Sequence, residues 1–432
     1  MQESNSKENC YENCYEIPDG NTSLLVETLR EASKSTVPVT IHLHQDSIYS
    51  INRPDTLDDA FPYIPSGCSI TIEGHGASIV RDKDRSSFFR FWTVSGSLFL
   101  NDVTLLRGHV RSGFAGAVKV ASRGSLVMKR CHVRDCVSEG CAGIAGEAGA
   151  GGGGGQGTCG GAIFAIRADV ELDDCRFIGN IAIGGCGGDA FPNKGRYFGK
   201  GGKGGGPYGG TGGDASIGQN LPSSILPRAR NMSNDSMLFY SCSGGGGGAS
   251  SGTVGFRGGD GSWGGGSGGQ GAKTLGGFDD IRQNGNAGFG AGDGGASGSS
   301  SGSAGGGGGS FGGAICVFGD GIASKLIISN SEFIGNTCRG GKGGKHPWGW
   351  PAGRCGKGIG GALFSWQVPV FITRSSLMHN FANMELNHFD LDRVKESHLS
   401  QVMLKDPLVR LLSLKGLPLY LVDYILQDFL DW

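Results

Sequence analysis

A single pattern occurs three times in this chain, and it restricts the possible folds more than any other feature. Gly160-Gly-Ala-Ile-Phe-Ala leads into Val170-Glu-Leu-Asp-Asp-Cys-Arg-Phe-Ile-Gly-Asn. Gly312-Gly-Ala-Ile-Cys-Val leads into Leu326-Ile-Ile-Ser-Asn-Ser-Glu-Phe-Ile-Gly-Asn, and Gly360-Gly-Ala-Leu-Phe-Ser leads into Val370-Phe-Ile-Thr-Arg-Ser-Ser-Leu-Met-His-Asn. A worn copy, Ala115-Gly-Ala-Val-Lys-Val followed by Leu126-Val-Met-Lys-Arg-Cys-His-Val-Arg-Asp-Cys, precedes them. Each unit is about twenty residues, the scale of one solenoid turn. Its short strands alternate with period two and are too brief to stand alone, so stacking on neighbours must supply the core. Ile163, Ile315 and Leu363 recur at one phase, and Phe177, Phe333 and Leu377 at another. Both sets are predicted to form interior ladders. Gly161, Gly313 and Gly361 fall at a corner where crowding or positive φ calls for the smallest residue. Asn180, Asn336 and Asn380 close each unit, where asparagine tolerates a left-handed bend and its amide can bond along a ladder.

Upstream, residues 1–18 form a polar tail. From Asn21, capping residues precede an apolar face of Leu24, Leu25, Thr28 and Leu29, the pattern of a short amphipathic helix. Val39-Thr-Ile-His-Leu-His, Ser69-Ile-Thr-Ile-Glu-Gly and Gly96-Ser-Leu-Phe-Leu-Asn then alternate as half-buried strands do. The predicted fold is therefore all-β: a right-handed parallel β-helix over 19–382, whose helix caps the first turn against water. Residues 383–432 read as a helical C-terminal segment, with Ser397 to Val402, Pro407 to Leu412 and an amphipathic run from Leu417. That segment is expected to shield the last turn, and a docking role for a protein partner is the sharper alternative.

Glycine supplies 85 of the 432 residues and is concentrated in excursions at about 140–159, 183–311 and 337–359. The glycines follow no strict three-residue period and there are only 14 prolines, so a collagen helix is excluded. Each excursion starts where a unit closes and ends at the Gly-Gly-Ala that opens the next. A shared phase implies a shared corner, so all three should emerge on one side. Such glycine runs have two physical fates. They stay disordered because they bury little apolar area against a large entropy cost, or they pack as extended polyproline-II strands. Phe256, Trp263, Phe278 and Phe289 offer anchors for the second.

Gly-Gly-Ala-Ile paired with Phe-x-x-Asn resembles the repeat signature of the polymorphic outer-membrane proteins, which are autotransporter adhesins. The stretch from Asn21-Thr-Ser-Leu-Leu to Ile70-Thr-Ile-Glu-Gly-His-Gly-Ala-Ser-Ile is similar to the start of the wider right-handed β-helix repeat family of pectin-lyase-like fold. The resemblance implies a β-helix and either adhesion or action on polysaccharides.

Catalysis of the polysaccharide hydrolase or lyase kind needs carboxylates placed to protonate a leaving oxygen and activate water, or a base with a bound cation. Gly74-His75-Gly76 resembles the Gly-His-Gly of polygalacturonases, but the Asn-Thr-Asp, Gly-Asp-Asp and Arg-Ile-Lys companions are absent, so His75 reads as a structural turn. Asp173 and Asp174 point to opposite faces, and Asp58 and Asp59 read as a solvated loop pair. Gly258-Gly-Asp-Gly and Gly292-Asp-Gly-Gly form no aspartate ladder for calcium, and no phosphate-binding loop is present. No catalytic residue, metal or cofactor is assigned.

The better candidates are basic and aromatic. Arg196, Lys200 and Lys203 lie in one excursion beside Tyr197 and Phe198, and Arg339, Lys342 and Lys345 lie in another with Trp348 and Trp350. Cations attract sulfated, carboxylated or phosphorylated groups, and aromatic faces stack on sugars. The expected function is a non-enzymatic binding or surface-structure protein for an anionic polysaccharide; the alternative is a polysaccharide lyase or glycoside hydrolase. A net charge of −1 gives no general attraction to nucleic acid, and no apolar run is long enough for a membrane span. The start of the chain lacks the basic and apolar blocks of a secretion signal, and the compartment is left open. Thirteen cysteines fit no zinc spacing and read as free thiols, with Cys338–Cys355 the alternative pairing.

Overall fold

Stacking leaves a record in register, because equivalent residues of successive repeats must become direct neighbours in parallel ladders. The computed structural model describes residues 13–82, 87–111, 113–147, 150–190, 198–206, 242–245, 247, 250–251, 254–255, 258, 260–270, 286–295, 302–319, 324–346, 352–383 and 402–405. Within them the chain is all-β apart from one helix, and its large sheets are wholly parallel.

The eight-stranded sheet runs from Cys14–Ile17 through Val39–Leu43, Ser69–Glu73, Ser97–Asn101, Ser125–Lys129, Asp169–Asp173 and Leu326–Ser329 to Val370–Thr373. A seven-stranded sheet runs from Ile48–Ile51 to Ser376–Met378, a six-stranded one from Trp92–Val94 to Val402–Lys405, and a five-stranded one from His109–Arg111 to Phe381–Ala382. From Ser97 onward the chain visits these sheets in one cyclic order, once per repeat. Stacked parallel strands visited cyclically are compatible with a parallel β-helix.

Register matches the sequence repeat. Leu105, Val133, Phe177, Phe333 and Leu377 are successive ladder partners, and the Phe177 and Phe333 rings stack at 5.0 Å and 6°. Val118, Ile163, Ile315 and Leu363 form a second ladder. All but Leu377 are buried, and Leu377 packs partly buried against the same core. Each burial contributes roughly 1.5–3 kcal/mol, so the ladders add substantially to cohesion.

The corners show why Gly-Gly-Ala is needed. The first glycine adopts positive φ at Gly160, Gly312 and Gly360 (66°, 66° and 74°). The second is crowded instead: a Cβ on Gly161 would lie 2.0 Å from the Gly313 carbonyl oxygen, and one on Gly313 the same distance from that of Gly361. At the other landmark the expectation needs correction. Asn180, Asn336 and Asn380 do not take the left-handed bend; Gly179, Gly335 and His379 before them do, at φ of 65°, 62° and 56°. The asparagines are freed for the ladder role: all three are buried, and the side-chain amides of Asn180 and Asn336 each bond to the next in line.

At the N-terminal end, Thr22–Ala32 is helical, with Asn21 accepting a hydrogen bond from the Leu24 amide, and it buries Leu25, Thr28, Leu29 and Ala32 against the core. Cys14–Ile17, assigned above to the polar tail, is instead the first strand of the large sheet, since Val39–Leu43 offers it an open parallel edge. Val402, expected to end a helix, begins the strand Val402–Lys405 against Leu363–Trp366, again because an open edge outcompetes local propensity. The other expected C-terminal helices lie outside the described residues. No helix among the described residues is long and apolar enough to cross a membrane.

Candidate functional site

The excursions leave and return at shared places. Val137–Glu139, Ile181–Ile183 and Thr337–Arg339 are neighbours in one sheet, and each runs directly into glycine. The returns, Thr158–Cys159, Ser310–Phe311 and Gly358–Ile359, pair in a small parallel sheet of their own.

Between these points the described glycines pack as extended strands with a strict period of three. Gly140, Gly143 and Gly146 donate to the carbonyls of Ile183, Cys186 and Asp189; Gly184, Gly187 and Ala190 donate to those of Arg339, Lys342 and Lys345. Three residues per turn is the repeat of the polyproline-II helix, whose backbone groups point outward in three directions. Consecutive residues therefore bond to different neighbours. Gly152, Gly153 and Gly154 donate to Ser303, Ile144 and Gly245, while Gly188, Gly205 and Gly266 donate back to Gly153, Gly154 and Gly155. The strand around 150–158 is thus ringed by six others. The strand around 302–310 is ringed in the same way: Gly305, Gly306 and Gly307 donate to Gly188, Ser267 and Arg354, while Gly152, Gly292 and Gly341 donate to Ser303, Gly307 and Gly308. Tracing every such bond arranges the strands in three layers. The first holds 140–147, 184–190 and 339–346, the second 200–206, 150–158, 302–310 and 352–358, and the third 242–245 with 247, 261–270 and 286–295.

Only glycine permits this spacing. A Cβ on Gly154 would lie 1.9 Å from the Gly266 carbonyl oxygen, and one on Gly305 would lie 2.1 Å from that of Gly153. Of the two fates open to the glycine runs, the described segments take the packed one. Backbone hydrogen bonds replace the apolar burial the sequence lacks.

An aromatic cluster fastens the slab to the repeats. Trp263 lies 4.2 Å from Phe311, 4.7 Å from Phe318 and 5.5 Å from Phe289, ring centre to ring centre. Phe164, Phe364, Cys159, Cys242 and Cys316 complete this second core. Trp263 and Phe289 therefore anchor as expected of them, while Phe256 and Phe278 lie outside the described residues.

Side chains appear on the slab where the third position of the period meets solvent. Arg339, Lys342 and Lys345 are exposed in one file, because Gly341 and Gly344 face inward and donate to Gly308 and Gly305. On the adjoining strand Cys186 and Asp189 are exposed, and on the one beyond it Ala142. The Asp189 carboxylate accepts a hydrogen bond from the Lys345 amide at 2.7 Å. On the other flank Arg354, Cys355 and Lys357 are exposed, with Arg354 paired to Asp293 at 3.6 Å. Next to the file His346 is buried, and burial lowers its ring pKa.

Lys200 and Lys203 are also exposed, but their strand is separated from the Arg339 file by 140–147 and 184–190. The structure thus joins the excursions without merging their charges into one patch. Arg196, Trp348 and Trp350 lie outside the described residues. Missing from the sequence reading was the Gly-Gly-x phase itself; Arg339-Gly-Gly-Lys-Gly-Gly-Lys carries it openly.

His75 is a turn residue at φ 51°, stacked on His42 with the ring nitrogens 3.2 Å apart. Asp173 accepts hydrogen bonds from Asn330 and, after it, Ser329, which hold its carboxyl below the ordinary value. The solvated reading of Asp59 is corrected. It is largely buried, with Arg90 Nε at 2.8 Å and the Thr93 hydroxyl donating at 3.0 Å. Burial raises its pKa against the opposing pull of Arg90, and burial lowers that of nearby Lys119. Asp58 stays half exposed, 3.7 Å from the same guanidinium. Among the described residues no group of three or more His, Cys, Asp or Glu is placed to hold a metal ion. All twelve described cysteines are free thiols, Cys338 buried against Ser310 and Cys355 exposed.

No family model matches this chain, and neither any curated protein nor any solved structure matches it.

Proposed function

We propose that the repeats wind as a right-handed parallel β-helix and that the chain is a non-enzymatic binding or surface-structure protein, presenting a polyglycine slab to anionic glycans. The cyclic order of strands and the unbroken register support the winding. The observation that carries the binding reading is the exposed file Arg339, Lys342 and Lys345 on a strand fixed by backbone hydrogen bonds. Charges on a rigid support lose little conformational freedom when a ligand arrives, so more of their attraction survives as affinity.

The test is binding of the purified chain to immobilised anionic and neutral polysaccharides, beside a variant with Arg339→Ala, Lys342→Ala and Lys345→Ala. Binding to anionic polymers should weaken with salt and fall in the variant, with the neutral polymer silent throughout. Equal binding by both proteins would remove this reading. The same protein incubated with polygalacturonate and calcium should produce no unsaturated-product absorbance; its appearance would put a lyase in place of the binder.

A further inference from the structure

The strand geometry sets how a ligand would lie on the slab and what charge spacing it would carry. Residues three apart on a polyproline-II strand share a direction and are separated by about 9 Å. Arg339, Lys342 and Lys345 are exposed while the glycines between them are buried or half-buried, so the charges form a straight line with a fixed interval. The hydrogen bonds from Gly184, Gly187 and Ala190 to these three carbonyls lock that interval along its whole length. Alongside, the neighbouring strand offers Cys186 and Asp189, and Asp189 already serves the Lys345 amide.

Resting on the binding reading, we infer that this file recognises a linear polyanion lying parallel to the strand, with anionic groups repeating at about 9 Å, roughly the length of a disaccharide. The partner class is an extended glycan acidic on every second sugar. A polymer charged at every sugar also meets the file, but its intervening charges face only the glycine gaps. Affinity should therefore follow the match of spacing more than linear charge density. Single-stranded nucleic acid has closer phosphates, and double-stranded DNA carries one charge per about 1.7 Å of axis, so both should gain nothing from the file beyond general attraction.

The experiment compares hyaluronan (one carboxylate per disaccharide), polygalacturonate (one per sugar) and single-stranded DNA, each labelled and titrated with the full chain at fixed ionic strength. Hyaluronan should bind at least as tightly as polygalacturonate, and both more tightly than the DNA. Affinities rising simply with charge density, or DNA binding best, would overturn the spacing inference while leaving a basic binding face in place. Failure of every polyanion to bind would instead remove the parent reading. A charge-conserving pair of changes adds a second arm. Lys342→Ala should weaken hyaluronan binding about fivefold to tenfold. Cys186→Lys added to Lys342→Ala restores the charge on the adjoining strand, out of line, at a position that is already exposed. The double variant should stay weak, with unchanged circular dichroism and melting temperature; recovery of native affinity would show that total charge, not alignment, is what matters.

Discussion

The side-chain amide of Asn180 donates to the side-chain oxygen of Asn336 at 2.9 Å, across 156 positions of sequence. The Asn180 backbone amide donates to the same oxygen at 3.0 Å, and Asn336 repeats both bonds toward Asn380. Each amide nitrogen also reaches a backbone carbonyl, Val133 for Asn180 and Phe177 for Asn336. Asn336 is fully buried, so its polar atoms have no solvent to fall back on.

Replacing Asn336 with Leu should therefore destabilise the protein by about 2–4 kcal/mol, since it strands the buried Asn180 donors and a backbone carbonyl. The same change at Asn380 strands the buried Asn336 donors and the Phe333 carbonyl, so a comparable loss is expected there. Chemical denaturation of the two variants is the measurement, and a loss well below about 1 kcal/mol at both sites would mean the ladder bonds are not the source.

How much of this was legible in the sequence depends on what kind of information each feature needs. The ladders of Phe177 with Phe333 and of Ile163 with Ile315 could be read because period and spacing are local and repeat. The shared corner of the excursions followed from phase alone. The left-handed bend was misplaced by one residue, since glycine at 179 and 335 hides behind the more conspicuous asparagine. Asp59 was misread because its partner, Arg90, is distant in sequence and a short acidic pair looks solvated. Whether the glycine runs would pack could not be decided from composition. Packing depends on backbone bonds between strands such as those of Gly154 and Gly245, whose trace in the sequence is the Gly-Gly-x phase rather than glycine content.

The slab gives a sharper contrast between glycines and their neighbours. Gly154→Ala would force a methyl group to 1.9 Å from the Gly266 oxygen, with backbone on every side and nothing able to move cheaply. A loss of about 3 kcal/mol or more is expected. Cys186→Ala, at the exposed third position, should change stability by less than about 0.5 kcal/mol. Thermal unfolding of the pair is the measurement; tolerance of alanine at 154 would contradict the close packing.

Trp263 bridges the slab to the repeats through Phe311 and Phe318. Trp263→Ala should cost about 3–5 kcal/mol, as large buried aromatics do. The damage should be local. In hydrogen exchange, amides of the slab such as Gly154 and Gly306 should lose protection, while Leu98 and Leu100 in the eight-stranded sheet should keep theirs. Uniform loss along the chain would show that slab and repeats unfold as one unit.

Glu139 sits at the point where the first excursion departs. His109 lies 3.5 Å from its carboxylate and Arg111 donates to it at 3.1 Å. The His109 contact first, and Arg111 after it, hold the carboxyl below its ordinary value against the opposing effect of burial. A depressed folded-state pKa adds stability above the ordinary carboxylate range, and that stability is lost as pH falls through the folded value. Because solvent still reaches 29% of the side chain, the amount should stay below about 1 kcal/mol. The gap in melting temperature between the native chain and Glu139→Gln should narrow as the pH is lowered from 7 into the acid range; a gap that stays constant would rule out the ionised carboxylate as its cause.

The thiols should divide sharply by burial. Cys136 and Cys338 are fully buried, and burial pushes both up to about 12, so they hold almost no thiolate at neutral pH. Cys14, Cys186 and Cys355 are exposed. Native alkylation followed by peptide mapping should label these three quickly and leave Cys136 and Cys338 untouched until denaturant is added. Because Cys338 closes the space between Ser310 and the Ile359 carbonyl, its early labelling would mean that the returning strands separate in solution, and with them the base on which the basic file is held.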